Sequence, residues 1–148
     1  MTRSNKQHSI NEKTAIPCIL CNPKKYLKFN FSFINYESSN KKDQDVLKCW
    51  ERLRWLSSKT FPEMIFEFGR NKDKWFEKIP FNQIKKEIPS KFREIFPTET
   101  NEEYWVIRVY PAGTPAGTAN PRIIGIVRNT IFYIFYLDWD GKLYSHGK

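Results

Sequence analysis

The sequence predicts an α+β fold in which helices pack on one face of an antiparallel sheet. Three apolar runs near the C-terminus, Tyr104–Tyr110, Arg122–Val127 and Ile131–Leu137, are rich in aromatic and β-branched residues and predict a strand meander. Earlier in the chain, residues 45–68 follow the 3.6-residue period of amphipathic helices. Because the apolar faces of such helices need a surface to cover, we expect them to pack on the sheet.

The composition indicates one globular domain with a basic surface. The chain has 148 residues, of which 40% are hydrophobic, so it is long enough to bury a substantial core. Its 25 Lys and Arg outnumber 16 Asp and Glu, which gives a formal net charge of +9. This surplus favours a polyanionic partner, either nucleic acid or an acidic protein. The alternative is a protein whose basic charge serves no specific partner.

The sequence also predicts where the protein acts. No apolar run approaches the roughly 20 residues that a membrane span needs, and the first 25 residues lack the apolar region of a signal peptide. Three cysteines are too few for a secreted domain built on disulfides. We therefore expect a cytoplasmic protein without a membrane partner. Residues 1–25 are polar and predict a flexible N-terminal extension, and residues 26–148 form the predicted α+β domain.

Cys18 and Cys21 form an isolated CxxC pair. Zinc needs about four ligands, and the other cysteine and histidine candidates are only Cys49, His8 and His146. A redox motif would need a helix after the pair, and the prolines on either side oppose one. Two partly buried thiols are the simpler interpretation, so we predict no metal and no cofactor.

The first predicted strand lies within residues 26–36. Leu27, Phe29, Phe31 and Phe33 alternate there with more polar residues, which is typical of a half-buried strand. This strand is expected to join the C-terminal meander of three or four strands in one sheet, with a short final strand at Lys142–Tyr144.

A helix is predicted from Asp45, with Val46, Trp50, Leu53 and Leu56 on its buried side. These residues recur at spacings of three and four, the period of one helix face. They are expected to pack against the sheet.

A second helix is predicted to begin at Thr60. Thr60 is its expected N-cap, Glu63 is the capping-box partner, and Pro62 suits the first turn. Gly69 is expected to end it.

Residues 70–100 are divided by prolines into short pieces, of which Phe81–Ile88 and Ser90–Phe96 are predicted short helices. A basic run precedes them, with Trp75 and Phe76 interleaved. Such a run is commonly a solvated face, but interleaved aromatics favour contact with nucleic acid. The candidate nucleic-acid-binding residues are Arg70, Lys72, Lys74 and Lys78.

The meander carries the candidate chemistry. Its first loop lacks the GxxxxGK[ST] pattern of a phosphate-binding loop, and no HExxH motif or Ser/His/Asp spacing occurs. Asp138 and Asp140 suit either turn formation or a divalent cation. Their turn ends at Gly141, where a positive φ is expected. Cations can hold a phosphate, and a Tyr or His can move protons. The candidate catalytic residues are Arg108, Arg122, Lys142, Tyr144 and His146.

The C-terminal pattern, a strand R-I-I-G-I-V, a short turn, F-Y-I-F-Y-L-D and then G-K-L-Y, resembles the RelE/ParE toxin superfamily. The order of one strand, two helices and a meander is similar as well. The resemblance covers about residues 27–146 and implies a RelE-like fold. It implies metal-independent mRNA cleavage, with RNA or the ribosome as target and a cognate antitoxin as partner. It places Arg108 and Arg122 among the basic strand residues of those toxins, and Lys142, Tyr144 and His146 among their C-terminal basic and aromatic residues.

Other functions stay open at this point. ParE-like members of the superfamily act on gyrase instead of RNA. The chain also suits a non-catalytic interaction protein of a phage or mobile element that binds nucleic acid or an acidic protein. A toxin-like scaffold without chemistry, acting by binding one protein, is a further possibility. Whether the candidate catalytic residues converge on one surface separates catalysis from binding alone.

Overall fold

The computed structural model describes residues 26–35, 42–64, 76–99, 102–110 and 120–144. The predicted extension at residues 1–25, with its CxxC pair, lies outside the described residues. None of the described helices is long and apolar enough to cross a membrane. The described strands are β1 (Lys28–Asn30), β2 (Phe76–Ile79), β3 (Tyr104–Arg108), β4 (Arg122–Arg128) and β5 (Ile131–Asp138), and the helices are α1 (Asp43–Ser57), α2 (Phe61–Glu63) and α3 (Ser90–Ile95).

The described strands form one five-stranded sheet in the order β1-β5-β4-β3-β2. The predicted meander is confirmed, since β3, β4 and β5 pair antiparallel in chain order. The sheet is nevertheless mixed, because β1 runs parallel to β5, so the expectation of a wholly antiparallel sheet was wrong. A parallel pair needs a long crossover connection, and everything between β1 and β5 serves as one.

Two apolar cores lie on opposite faces of the sheet. The face covered by α1, here called the α1 face, buries Leu53, Ile107 and Phe132 in one cluster. The opposite α3 face buries Phe92 of α3 with Val106 of β3 in another. Helices therefore cover both faces, and the expectation that they pack on one face was wrong. Helix α3 has only six residues, so its sequence was too short for its periodicity to predict that Phe92 packs against the sheet.

The first strand is shorter than predicted. It ends at Asn30, whose side-chain oxygen accepts a hydrogen bond from the Ser32 backbone N–H at 2.9 Å and so forms a local turn. Past this turn the expected alternation fails: Phe31 is 41% exposed, and Phe33 packs against the core on the α3 face.

Helix α1 buries Asp45, Cys49, Leu53 and Leu56, a stripe at spacings of three and four. Leu53 and Leu56 of the predicted stripe are confirmed as buried, whereas Trp50, expected in the core, is 57% exposed. Both stripes have helical spacing, so only packing against the sheet distinguishes them.

The start of α2 is confirmed. The Glu63 backbone N–H donates to the Thr60 hydroxyl, and the Glu63 carboxylate accepts from the Thr60 backbone N–H at 2.8 Å, which completes the capping box. The predicted stop at Gly69 lies outside the described residues.

The segment before β3 differs in part from its prediction. Strand β2 lies at the end of the basic run and was not predicted. Within Phe81–Ile88 only a 3₁₀ turn at Phe81–Gln83 forms, whereas the helix predicted at Ser90–Phe96 is confirmed as α3.

The turn between β4 and β5 has positive φ angles at Asn129 and Thr130, 51° and 66°, as two-residue hairpins require. The predicted positive φ at Gly141 is confirmed at 68°. The predicted final strand is reduced to one bridge between Tyr144 and Ile84.

Candidate functional site

Polar side chains gather at one end of the α3 face, beyond the apolar core. Arg108 on β3 lies opposite Arg122 on β4, and Arg122 lies opposite Asp138 on β5. Glu77 on β2 pairs with Val106, two residues before Arg108, and therefore points to the same face. Tyr144 covers this row from the C-terminal segment. We call these five residues the arginine cluster.

A β-bulge makes this row possible. The β4–β5 register shifts between Ile124 and Gly125. Before the shift, Phe132 and Ile134 of β5 face the core under α1, whereas Tyr136 after it faces the opposite core. An unbroken alternation would direct Asp138 to the α1 face, and the bulge instead places it beside Arg122.

Gly125 suits the bulge because no side chain fits there. A Cβ at this position would lie 2.0 Å from the Tyr133 carbonyl oxygen and 2.8 Å from the Phe132 ring. Glycine in a strand interior commonly marks such a close backbone approach.

The arginine cluster contains a long ion pair and a cation–π contact. Arg108 Nη2 lies 3.7 Å from Glu77 Oε1, within ion-pair range but beyond a hydrogen bond. The Arg122 guanidinium carbon lies 4.9 Å from the centre of the Tyr144 ring, a cation–π contact. The side chains of Arg108 and Glu77 are 18% and 16% exposed, so solvent reaches the cluster at their side.

The formal charges of the two arginines and two carboxylates balance, but the two guanidinium groups are neighbours. Burial lowers the pKa of the Arg122 guanidinium, and the positive charge of Arg108 lowers it further, while Asp138 and Glu77 oppose the shift. Two guanidinium groups side by side repel one another, and a bound anion would relieve that repulsion.

Several buried polar atoms at this place lack hydrogen bonds. Within the described part of the chain, Glu77 Oε1, Arg108 Nε and Asn120 Oδ1 have no hydrogen-bond partner. Asn120 lies two residues before Arg122, the first residue of β4, and its carbonyl oxygen lies near Gly141. Unsatisfied buried polar atoms are rare in folded proteins, so these atoms mark the cluster as a candidate site.

Asp138 is a turn former and a positioning residue. Its two carboxylate oxygens accept the backbone N–H groups of Lys142 and Leu143 at 3.0 and 2.9 Å. These bonds hold the C-terminal segment where Tyr144 covers Arg122. Among the described residues, no group of three or more His, Cys, Asp or Glu is arranged to hold a metal ion.

The structure brings together Arg108, Arg122 and Tyr144 of the predicted catalytic residues. Lys142 is exposed and joins the cluster through its backbone N–H. His146 lies outside the described residues.

The predicted nucleic-acid residues do not join this site. Arg70, Lys72 and Lys74 lie outside the described residues. Lys78 lies opposite Trp105, which packs against the core under α1, so it points away from the arginine cluster. Its ammonium group lies 5.8 Å from the centre of the Trp105 ring.

Sequence reasoning missed Glu77 and Asn120. Glu77 follows a basic run and belongs to a strand of only four residues, so no periodicity indicated its direction. Asn120 ends a Pro/Gly/Thr/Ala loop and carried no signal of its own.

Compared with models of protein families, with curated proteins and with solved structures, the chain matches none of them.

Proposed function

We propose that this protein is a RelE-like toxin that cleaves mRNA without a metal ion. The observation that carries the proposal is the arginine cluster, in which two arginines, two carboxylates and a phenol meet and in which Arg108 Nε is buried without a hydrogen-bond partner. A phosphodiester oxygen supplies the acceptor that Arg108 Nε lacks, and guanidinium groups form strong charge-assisted hydrogen bonds with phosphate. The C-terminal resemblance to RelE toxins supports the same substrate.

The proposed reaction is attack of an RNA 2′-hydroxyl on its own 3′-phosphate. Glu77 takes the proton from the 2′-oxygen, which bonds to phosphorus as the bond to the 5′-oxygen breaks. The Tyr144 hydroxyl protonates the departing 5′-oxygen, and exchange with water restores both groups. Arg108 and Arg122 stabilise the charge that develops on the phosphate oxygens. The products are a 2′,3′-cyclic phosphate and a 5′-hydroxyl.

The nucleophile in this reaction belongs to the RNA itself, so positioning supplies much of the rate and no metal-bound water is needed. Lys142 adds positive charge at the rim, and His146, two residues beyond Tyr144, stays a predicted participant. The proposed setting is the cytoplasm, with mRNA or the ribosome as target and a cognate antitoxin as restraint.

The test is cleavage of end-labelled RNA, free and on ribosomes, in the presence of EDTA. We expect cyclic-phosphate ends from the unmodified protein and a loss of at least about 100-fold in rate for Glu77→Gln, which removes the base but keeps the shape. Tyr144→Phe keeps the ring over Arg122 and tests the hydroxyl alone.

Glu103→Gln is the matched control. Glu103 precedes β3 and pairs at 3.9 Å with Lys78, outside the arginine cluster, so the same chemical change there should leave cleavage intact. Circular dichroism confirms that each variant is folded. Absence of cleavage by the folded protein on both substrates, or wild-type cleavage by Glu77→Gln, would refute the proposal.

A second candidate function is non-catalytic binding of an acidic protein. It is favoured by an exposed apolar patch in which Leu47 and Trp50 of α1 are 59% and 57% exposed and Phe31 stacks on Trp50 with ring centroids 5.5 Å apart. Exposed clusters of this kind mark interaction surfaces, and the net charge of +9 favours an acidic partner.

Expression in a bacterial host separates the two candidates. The nuclease proposal expects growth arrest that Glu77→Gln relieves and Trp50→Ser preserves in the absence of an antitoxin. If the protein instead acts by binding through the patch, Trp50→Ser should relieve the arrest and Glu77→Gln should preserve it. RNA should then be intact in the arrested cells.

A further inference from the structure

A cleft of about 370 Å³ lies on the α3 side of the sheet, within the size range of ligand sites. Its apolar wall includes Phe81 and Tyr104, whose rings meet edge to face at 4.8 Å, together with Ile84. Lys85 and Lys86 line it as well. An aromatic wall beside two lysines is a combination that suits a base and a phosphate.

The wall of this cleft is anchored to the sheet. The Tyr104 hydroxyl donates to the Lys86 carbonyl at 2.9 Å, and the Tyr136 hydroxyl donates to the Glu87 carbonyl. Burial raises the pKa of Tyr104, so its hydroxyl stays a proton donor. The lysines therefore extend from a backbone that two tyrosines hold in place.

The cleft adjoins the arginine cluster through short backbone contacts. Ile84, in its wall, forms a bridge with Tyr144, and the Lys85 backbone N–H donates to the Leu143 carbonyl at 2.9 Å. Tyr144 in turn covers Arg122. Tyr144 thus contacts both Ile84 of the cleft wall and the guanidinium group of Arg122.

The charges in the cleft favour an anion. Lys85 is exposed and Lys86 is half-buried, against one lining carboxylate, Glu87. Arg93 also lines the cleft and adds a cation, although it pairs with Glu102 at 2.8 Å. Positive charge at the rim and an apolar interior match a nucleotide better than an uncharged ligand.

We propose that this cleft binds a nucleotide of single-stranded RNA next to the scissile phosphate, with its base against Phe81 and its phosphate at Lys85. The proposal rests on the proposed function and extends it, because the cleft would position the RNA strand across the arginine cluster. A nucleotide held there restricts the motion of its neighbour and so aids in-line attack.

The experiment measures RNA binding separately from RNA cleavage. The probe is a fluorescent 2′-O-methyl hexaribonucleotide, which lacks the attacking hydroxyl, and its Kd is measured by anisotropy at several salt concentrations. Lys85→Ala is expected to raise the Kd at least about threefold and to reduce the slope of log K against log salt by about 0.7, as loss of one phosphate contact predicts. Phe81→Leu is expected to raise the Kd at least about fivefold through lost stacking.

Lys91→Ala is the matched control, because Lys91 is an exposed lysine on α3 that does not line the cleft. It removes the same charge and should leave the Kd unchanged. With cleavable RNA, Lys85→Ala should raise KM, and Lys91→Ala should leave KM unchanged.

The outcomes separate the two proposals. Equal Kd and KM values for Lys85→Ala and Lys91→Ala would overturn the nucleotide cleft, even if the protein cleaves RNA. Binding that depends on Lys85 and Phe81 but not on Lys91 would support the cleft, and a protein that then cleaved no RNA would refute only the nuclease.

Discussion

Replacing Glu102 by Gln is expected to destabilise the protein through a buried ion network. Glu102 Oε1 accepts from Arg128 Nη2 at 2.5 Å and Nε at 3.1 Å, and Oε2 accepts from Arg93 Nη1 at 2.8 Å. The side chains of Arg128 and Glu102 are only 8% and 4% exposed. Arg128 also lies 5.2 Å from the centre of the Phe92 ring, under the core of the α3 face.

The magnitude follows from what the substitution leaves behind. An amide in place of the carboxylate removes the negative charge and turns one acceptor into a donor facing a guanidinium group. Breaking a buried pair in this way costs about 3–5 kcal/mol. Because Arg128 keeps its 2.7 Å hydrogen bond to the Pro97 carbonyl, we expect the lower end, about 3 kcal/mol.

Urea denaturation followed by circular dichroism measures this loss. With a slope of about 2 kcal/mol/M, the midpoint should fall by about 1.5 M. Glu99→Gln is the control, since Glu99 lies 3.7 Å from the same arginine but is 63% exposed, and it should cost at most about 0.5 kcal/mol. If the two variants lose equal stability, burial of the pair is not what makes Glu102 important.

Three further predictions test the fold. Gly125→Ala should lower Tm by at least about 5 °C, because the new Cβ meets the Tyr133 carbonyl oxygen at 2.0 Å and the backbone must move; an unchanged melt would contradict the bulge geometry. Burial raises the pKa of Cys49 to about 11, so at pH 8 a disulfide reagent should label it at least about tenfold more slowly in the folded protein than in urea, as measured with the other two cysteines replaced by serine. Thr60→Ala should cost about 1 kcal/mol by urea denaturation, whereas Thr60→Ser, which keeps the capping hydroxyl, should cost less; equal losses would argue against the cap.

Local sequence patterns predicted the elements that local chemistry controls. The meander strands, the capping box at Thr60 and Glu63 and the positive φ at Gly141 all depend on residues close in the chain. The same patterns failed where two arrangements are locally equivalent. Trp50 and Cys49 both lie on helical stripes, and only packing against the sheet buries one and exposes the other.

The candidate site was predicted in part. Arg108, Arg122 and Tyr144 were predicted from residue type and resemblance, and they converge. Glu77 was missed because β2 is four residues long and follows a basic run, too short for a period to be visible. Lys78 was grouped with its basic neighbours, yet strand alternation directs it to the opposite face from Glu77.

By itself, the sequence determined an α+β chain with a basic surface, a C-terminal meander and arginines on adjacent strands, because composition and periodicity are local properties. Only the tertiary structure decided which charges meet. The bulge at Ile124 and Gly125 reverses the side-chain alternation of β5 and brings Asp138 beside Arg122. The pairing of β2 with β3 places Glu77 beside Arg108. The bridge from Tyr144 to Ile84 connects the arginine cluster to the cleft. These contacts depend on register between strands distant in the chain, and strand register is set by the packing of the whole sheet.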